Sequence, residues 1–217
     1  MREHHLEVRR TARYVTLGPT DGNGAELVFA FHGYGQLAAS FATALAPIDN
    51  GARAIVVPEG LSRHYREATS GQVGASWMTK EDRNHEIGDY VLYLDAVFDS
   101  VSGVSDSRPL DLFGFSQGSA TAWRWIAAGR VRPRRLIVWG GEIPPDLDWA
   151  AIGDRIRTVE VVLVAGTEDQ YATPDRMERG AATLDAHAVS HRTITFDGGH
   201  RLDTRILGDL FTSSHET

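Results

Sequence analysis

The chain has 217 residues, no cysteine and a formal net charge of −7 at pH 7. Its length suits a single domain over residues 1–217 with a sizeable core, and 42% hydrophobic with 24% charged residues is ordinary for a globular protein. Lack of cysteine excludes disulfides, a thiol nucleophile and thiolate metal sites, and the acidic balance argues against nucleic acid as a partner.

Met1 to Arg10 is polar and charged, unlike a secretory signal. No apolar run approaches the ~18 residues of a membrane span, so the expectation is a cytoplasmic enzyme without stable membrane insertion. The pair His4-His5 is too short to bind a metal well alone. Glu7 to Leu17 alternates loosely and predicts an opening strand. Continuous apolar runs then recur at Glu26 to Phe31, Arg53 to Val57, Asp111 to Phe115, Arg135 to Trp139, Glu160 to Ala165 and Arg192 to Phe196. Runs apolar on both faces suit buried parallel strands. Between them, helices are predicted at Leu37 to Ala46, Ile87 to Val101, Ser119 to Ala128, Pro174 to His187 and Leu202 to Phe211. The alternation predicts an α/β fold, a mostly parallel central sheet with helices on both faces. Gly60 to His85 is long and mixed, and predicts a loop at the carboxyl end of a strand, where such folds often build their sites.

The run Leu110 to Ala120 carries the chemistry. An apolar stretch leads into Gly114-Phe-Ser116-Gln-Gly118, and a helix-like stretch leaves it. A sharp strand-to-helix turn lifts a serine oxygen clear of a sheet, and side chains at Gly114 and Gly118 would collide with that turn. A serine hydroxyl needs a base, and the base needs a partner that fixes its tautomer. For the base, His200 follows a strand in Asp197-Gly-Gly-His200. His32 precedes the serine, the wrong order, and is expected to hydrogen-bond its loop; His64 and His85 fall in the long loop. For the acid, Asp169 follows Gly166 after a strand and is preferred to its neighbour Glu168, with Asp146, Asp148 and Asp197 as lesser candidates. The order Ser116, Asp169, His200 is the order this arrangement requires. An oxyanion hole needs two backbone amides; Gln117, after the serine, and Tyr34, in His32-Gly-Tyr-Gly35, are expected to supply them. Ser119 is expected to pack inside its helix.

Together, Phe31-His-Gly-Tyr-Gly35, Gly114-Phe-Ser-Gln-Gly118, Gly166-Thr-Glu-Asp-Gln170 with Thr173-Pro174, and Gly198-Gly-His200 resemble the α/β-hydrolase superfamily. More narrowly, they resemble its phospholipase/carboxylesterase family, which includes the acyl-protein thioesterases. The chain departs from that family's pattern at Ser119, where a second glycine is common, and at Gln36, where Gly35 is usually followed by Asp. The resemblance implies a hydrolase of small to medium acyl esters, with no cofactor and no large cap domain; no metal site is expected. Thioesterase or lysophospholipase activity is the alternative, and a non-catalytic ligand-binding protein of the same fold the remote one. The segment Ser76 to Arg83 is similar to a bacterial branch, which implies Trp77, with Met78 beside it, near the acyl pocket. Trp139 either borders that pocket or packs in the core. A small-molecule ester is the expected partner; homodimerisation stays open.

Overall fold

Seven strands form one sheet in the order β1-β3-β2-β6-β7-β8-β9. They are β1 (Tyr14–Leu17), β2 (Glu26–Phe31), β3 (Arg53–Pro58), β6 (Leu110–Phe115), β7 (Arg135–Trp139), β8 (Glu160–Gly166) and β9 (His191–Phe196). β1 runs antiparallel to β3 at one edge, and all other pairs are parallel. Two further strands, β4 (Ser62–Glu67) and β5 (Ser70–Ser76), form a separate antiparallel hairpin. The helices are α1 (Ala38–Ala44), α2 (Arg83–Val101), α3 (Gln117–Ala128), α4 (Trp149–Ile156), α5 (Pro174–Ala186) and α6 (Thr204–Thr212). The computed structural model describes residues 1–20, 25–67, 69–102 and 107–212.

The continuous apolar runs are explained by burial on both sides. Successive side chains of a strand point to opposite faces. Leu27, Phe29 and Phe31 join Leu112, Leu136 and Leu163 under α2, α3, α4 and α5. Val28 and Ala30 join Phe113, Ile137 and Val162 under α1 and α6. Each strand residue therefore meets a helix layer, and alternation disappears from the sequence.

Three expectations need correction. The opening strand is only β1, because its ladder with β3 runs from Tyr14↔Pro58 to Leu17↔Ile55 and residues 1–11 are exposed, with nothing to pair with. The stretch predicted as a loop from Gly60 to His85 is largely the β4–β5 hairpin and the first turn of α2. Most of the hairpin is exposed, so no face required apolar alternation, and the sequence carried no period-2 signal. Helix α4 was not anticipated at all. Its signals are short: Asp148 caps it by accepting from the Ala150 and Ala151 amides at 3.0 and 3.2 Å, and Ile152 and Ile156 are its buried pair.

Charged residues at or beside the starts of β2, β3, β6 and β7 meet at the amino edge of the sheet. Glu26 accepts from Arg53 Nε at 2.9 Å and from Arg134 at 2.7 Å; Asp111 accepts from Arg134 at 2.8 Å and Arg135 at 2.6 Å. Arg53 and Arg135 also donate to the carbonyls of Phe211 and Leu210 in α6. Neighbouring guanidiniums hold the Glu26 carboxyl below its usual range against the opposing effect of burial. Arg53 is 2% exposed, so removing Glu26 strands a guanidinium without its carboxylate. Glu26→Ala is expected to lower the unfolding free energy by about 3–5 kcal/mol, measured as a drop in the urea midpoint. Glu26→Gln keeps an acceptor for Arg53 and is expected to cost less.

Candidate active site

β6 ends at Phe115 and α3 begins at Gln117, so Ser116 alone makes the turn between them. Its backbone sits at φ 55°, ψ −119°, a conformation that side-chain-bearing residues rarely adopt. The Ser116 N–H donates to the Trp139 carbonyl at 2.8 Å, which ties the turn to the end of β7. A Cβ at Gly118 would lie 2.1 Å from the Phe31 carbonyl oxygen, and one at Gly114 2.4 Å from the Ser119 Cα. Both glycines are therefore required by close backbone approach. Ser119 packs inside α3, as expected, with its hydroxyl donating to the Gly114 carbonyl at 2.7 Å.

Asp169 and His200 are brought together. They stand on loops after β8 and β9, adjacent strands whose loops are joined by Glu168 N–H donating to the Gly198 carbonyl at 2.8 Å. His200 Nδ1 lies 2.8 Å from Asp169 Oδ2. Asp169 Oδ1 accepts from the Tyr171 and Ala172 amides at 2.8 and 3.0 Å. Asp169 is 4% exposed, whereas Glu168 and Asp197 are exposed, so only Asp169 is held for this contact. The carboxylate fixes the proton on Nδ1 and leaves Nε2 with its lone pair. The imidazole stacks on Phe115 at 4.9 Å and meets the edge of Tyr171 at 4.7 Å. Gly140, at φ 58°, passes so close that a Cβ would come 3.0 Å from the ring. Ser116 forms no hydrogen bond to His200 here; Phe115, its chain neighbour, makes the contact instead.

The two expected oxyanion donors are both open. The Tyr34 N–H has no partner among the described residues, and the Gln117 N–H, first in α3, has no carbonyl one turn back. His32 anchors the Tyr34 loop. It is fully buried, its Nδ1 lies 2.8 Å from the Gly33 carbonyl, and its Nε2 accepts from the Gly60 amide at 3.0 Å. That pair of bonds selects the neutral Nδ1–H form, and burial lowers the ring's pKa. The Gln117 side chain holds residues 76–78: its Oε1 accepts from the Trp77 amide at 3.1 Å and its Nε2 donates to the Met78 carbonyl at 2.8 Å.

A cleft of about 250 Å³ opens at Ser116. One wall is Ser116 with Ala120 and Arg124 of α3; the other runs from Gly140 to Pro145, with Tyr171 and Arg176 also lining the cleft. Arg124, Arg176 and Tyr171 were not singled out in the sequence. Tyr171 had a usable signal in its place two residues after Asp169. Trp77 does not reach the cleft, contrary to expectation, and Trp139 takes the core position rather than the pocket border. Both are 1% exposed and lie in cores on opposite faces of the sheet. Trp77 donates from its indole to the His32 carbonyl at 2.9 Å, and Trp139 to that of Arg201 at 2.9 Å. Met78 sits behind the wall, its sulfur 3.4 Å from Arg124 Nη1. His64 lies in β4 and stacks on Tyr34 at 5.1 Å, and His85 lies in α2 beside Asp82. Asp146 pairs with Arg124 and Arg83, and Asp148 caps α4.

No protein-family model matches the chain, and no curated protein does. Its likeness is to solved structures. Acyl-protein thioesterase 2 of Zea mays matches with a TM-score of 0.72 and 16% identity, over 94% of this chain and 97% of that one. Esterase PE8 matches at 0.68 and 20% identity, over 94% and 98%. The Bacillus cereus carboxylesterase matches at 0.67 and 13%, over 93% and 92%. These likenesses establish the α/β-hydrolase fold, with no cap domain evident among the described residues. No helix among those residues is long and apolar enough to cross a membrane.

His32 yields a pH signature. Its folded pKa is below the ordinary ~6.5, so below that pH the unfolded chain binds a proton the native chain refuses. Stability therefore falls as pH drops from about 6.5 toward the folded value. The shifted carboxyls act below about 4.5, and His85, whose pKa is raised by Asp82, acts above about 6.5. Urea midpoints between pH 6.5 and 5 are expected to decline for the wild type and to stay nearly flat for His32→Gln.

Proposed function

We propose that this chain is a serine hydrolase of carboxylic esters with small to medium acyl groups. The observation that carries the reading is the Asp169–His200 pair at 2.8 Å beside a serine held at φ 55° in a strand-to-helix turn. In the proposed mechanism, Ser116 Oγ attacks the ester carbonyl carbon while His200 Nε2 takes its proton. Asp169 keeps the ring oriented and balances the imidazolium. The Tyr34 and Gln117 amides donate to the oxyanion. When the intermediate collapses, the alcohol leaves with the proton from Nε2, and water repeats the attack on the acyl-serine. The Ser116–His200 hydrogen bond closes as substrate enters, a tightening common at such sites.

A cleft of about 250 Å³ is smaller than the roughly 300–1,000 Å³ that holds drug-sized ligands. That favours short acyl groups over the long chains of lysophospholipids. Thioesters of the same acyl groups suit the same machinery, a reading favoured by the likeness to the Zea mays thioesterase fold.

Hydrolysis of 4-nitrophenyl esters from acetate to laurate tests the proposal. The wild type is expected to turn over the shorter members, and Ser116→Ala to lose about 10³-fold or more in kcat with an unchanged melting temperature. Asp169→Asn is expected to fall by a similar order, since the ring loses its fixed tautomer. Near-full activity in Ser116→Ala would overturn the mechanism.

A further inference from the structure

The Ser116 cleft is not neutral. Ser116, Ala120 and Arg124 recur every four residues and line one wall, so about 12 Å of helix separates serine from arginine. Arg124 is 7% exposed and held rigidly. Its Nε and Nη2 donate to Asp146 Oδ2 and Oδ1, each at 2.9 Å. Its Nη1 faces Met78 Sδ at 3.4 Å. A guanidinium has five donors; these contacts use three, and the Tyr90 hydroxyl is a further neighbour of the group. Asp146 Oδ1 also accepts from Arg83 at 2.6 Å, so one carboxylate serves two guanidiniums. Tyr90, buried beside them, stays neutral, its hydroxyl pushed up to about 12 by burial. The remaining charges of the wall cancel: Arg176 pairs with Glu142 at 2.9 Å and also donates to the Tyr171 carbonyl at 3.1 Å. The Arg124 end thus carries one net positive charge, in a chain whose total is −7. Ile143, Pro144 and Pro145 border it, so that charge is less screened than on an open surface. The fork on Asp146 fixes the guanidinium before any ligand arrives.

The acyl part of an ester must stay bound while the alcohol departs, so it belongs in the walled cleft. The alcohol belongs on the open side, where Tyr34 is 63% exposed. We propose that the cleft selects esters whose acyl group ends in a carboxylate, hemiesters of short dicarboxylic acids, with Arg124 binding that carboxylate. The hydrolytic step rests on the reading above: water cleaves the ester to the free dicarboxylate and the alcohol. The anion site itself can be tested without turnover.

The test compares 4-nitrophenyl hydrogen adipate with its neutral counterpart, 4-nitrophenyl methyl adipate, at pH 7.5. The wild type is expected to favour the anion in kcat/KM by about tenfold or more. Arg124→Gln is expected to bring the ratio to about one or below. Should that variant fail to fold, Arg83→Gln, on a more exposed partner of the same carboxylate, is expected to lower the ratio by less. In parallel, adipate is expected to raise the melting temperature of Ser116→Ala while dimethyl adipate does not. Equal turnover of the two esters with no adipate protection would overturn the anion site and leave the hydrolase reading standing. Adipate protection lost in Arg124→Gln, with neither ester cleaved by the wild type, would support the anion site and count against the hydrolase reading.

Discussion

The turn at Ser116 is the constraint on which the rest of the site depends. A non-glycine residue at φ 55° costs on the order of 1–3 kcal/mol and persists only where its surroundings over-determine it. Here the turn is bonded to the Trp139 carbonyl on one side. On the other side, Gly118 lets α3 descend onto the Phe31 carbonyl with no room for a Cβ. The same closeness fixes what can follow β7. Gly140 passes against the His200 ring and Gly141 against the elbow, where a Cβ would come 2.8 Å from the Ser116 carbonyl oxygen, and the chain from Gly140 to Pro145 then becomes the far wall of the cleft. Trp139 is buried because its carbonyl faces Ser116 while its side chain drops into the core below.

The parallel sheet separates two kinds of polar chemistry. Its amino edge carries the network of Glu26, Arg53, Asp111, Arg134 and Arg135, which ties four strands to α6. Its carboxyl edge carries Ser116, Asp169 and His200 on loops after three strands. Because β8 and β9 are neighbours, Asp169 and His200 need only short loops to meet, and the Glu168–Gly198 bond joins those loops directly. The site is thus assembled by register rather than by long excursions of the chain.

What was legible in the sequence follows from burial. The six parallel strands were readable because both faces are covered, and the three residues singled out for chemistry, Ser116, Asp169 and His200, all stand at strand ends with glycines about them. Arg124 was invisible: its meaning depends on α3 facing a loop twenty residues onward, and nothing local marks it. Trp77 misled for the opposite reason, and Trp139 took the core position that stood beside its pocket reading. A tryptophan near a motif suggests a pocket wall, but large rings fill the cavities between a twisted sheet and its helices, and there both of them lie. The hairpin escaped because its strands bury so little that their pattern carries no period.

That hairpin is nonetheless coupled to both amides proposed as oxyanion donors. Gly35 and Gln36 pair with Ala75 at 2.9 and 3.1 Å, so β5 extends along the Tyr34 loop. Two residues further, Trp77 bonds the His32 carbonyl from its indole and the Gln117 side chain from its amide. His32 in turn holds the Gly60 amide at the other end of the same segment. The loop bearing Tyr34 and the helix start bearing Gln117 therefore share one support, residues 75–78. Buried Trp77 thus joins the Tyr34 loop to the Gln117 side chain from within the core.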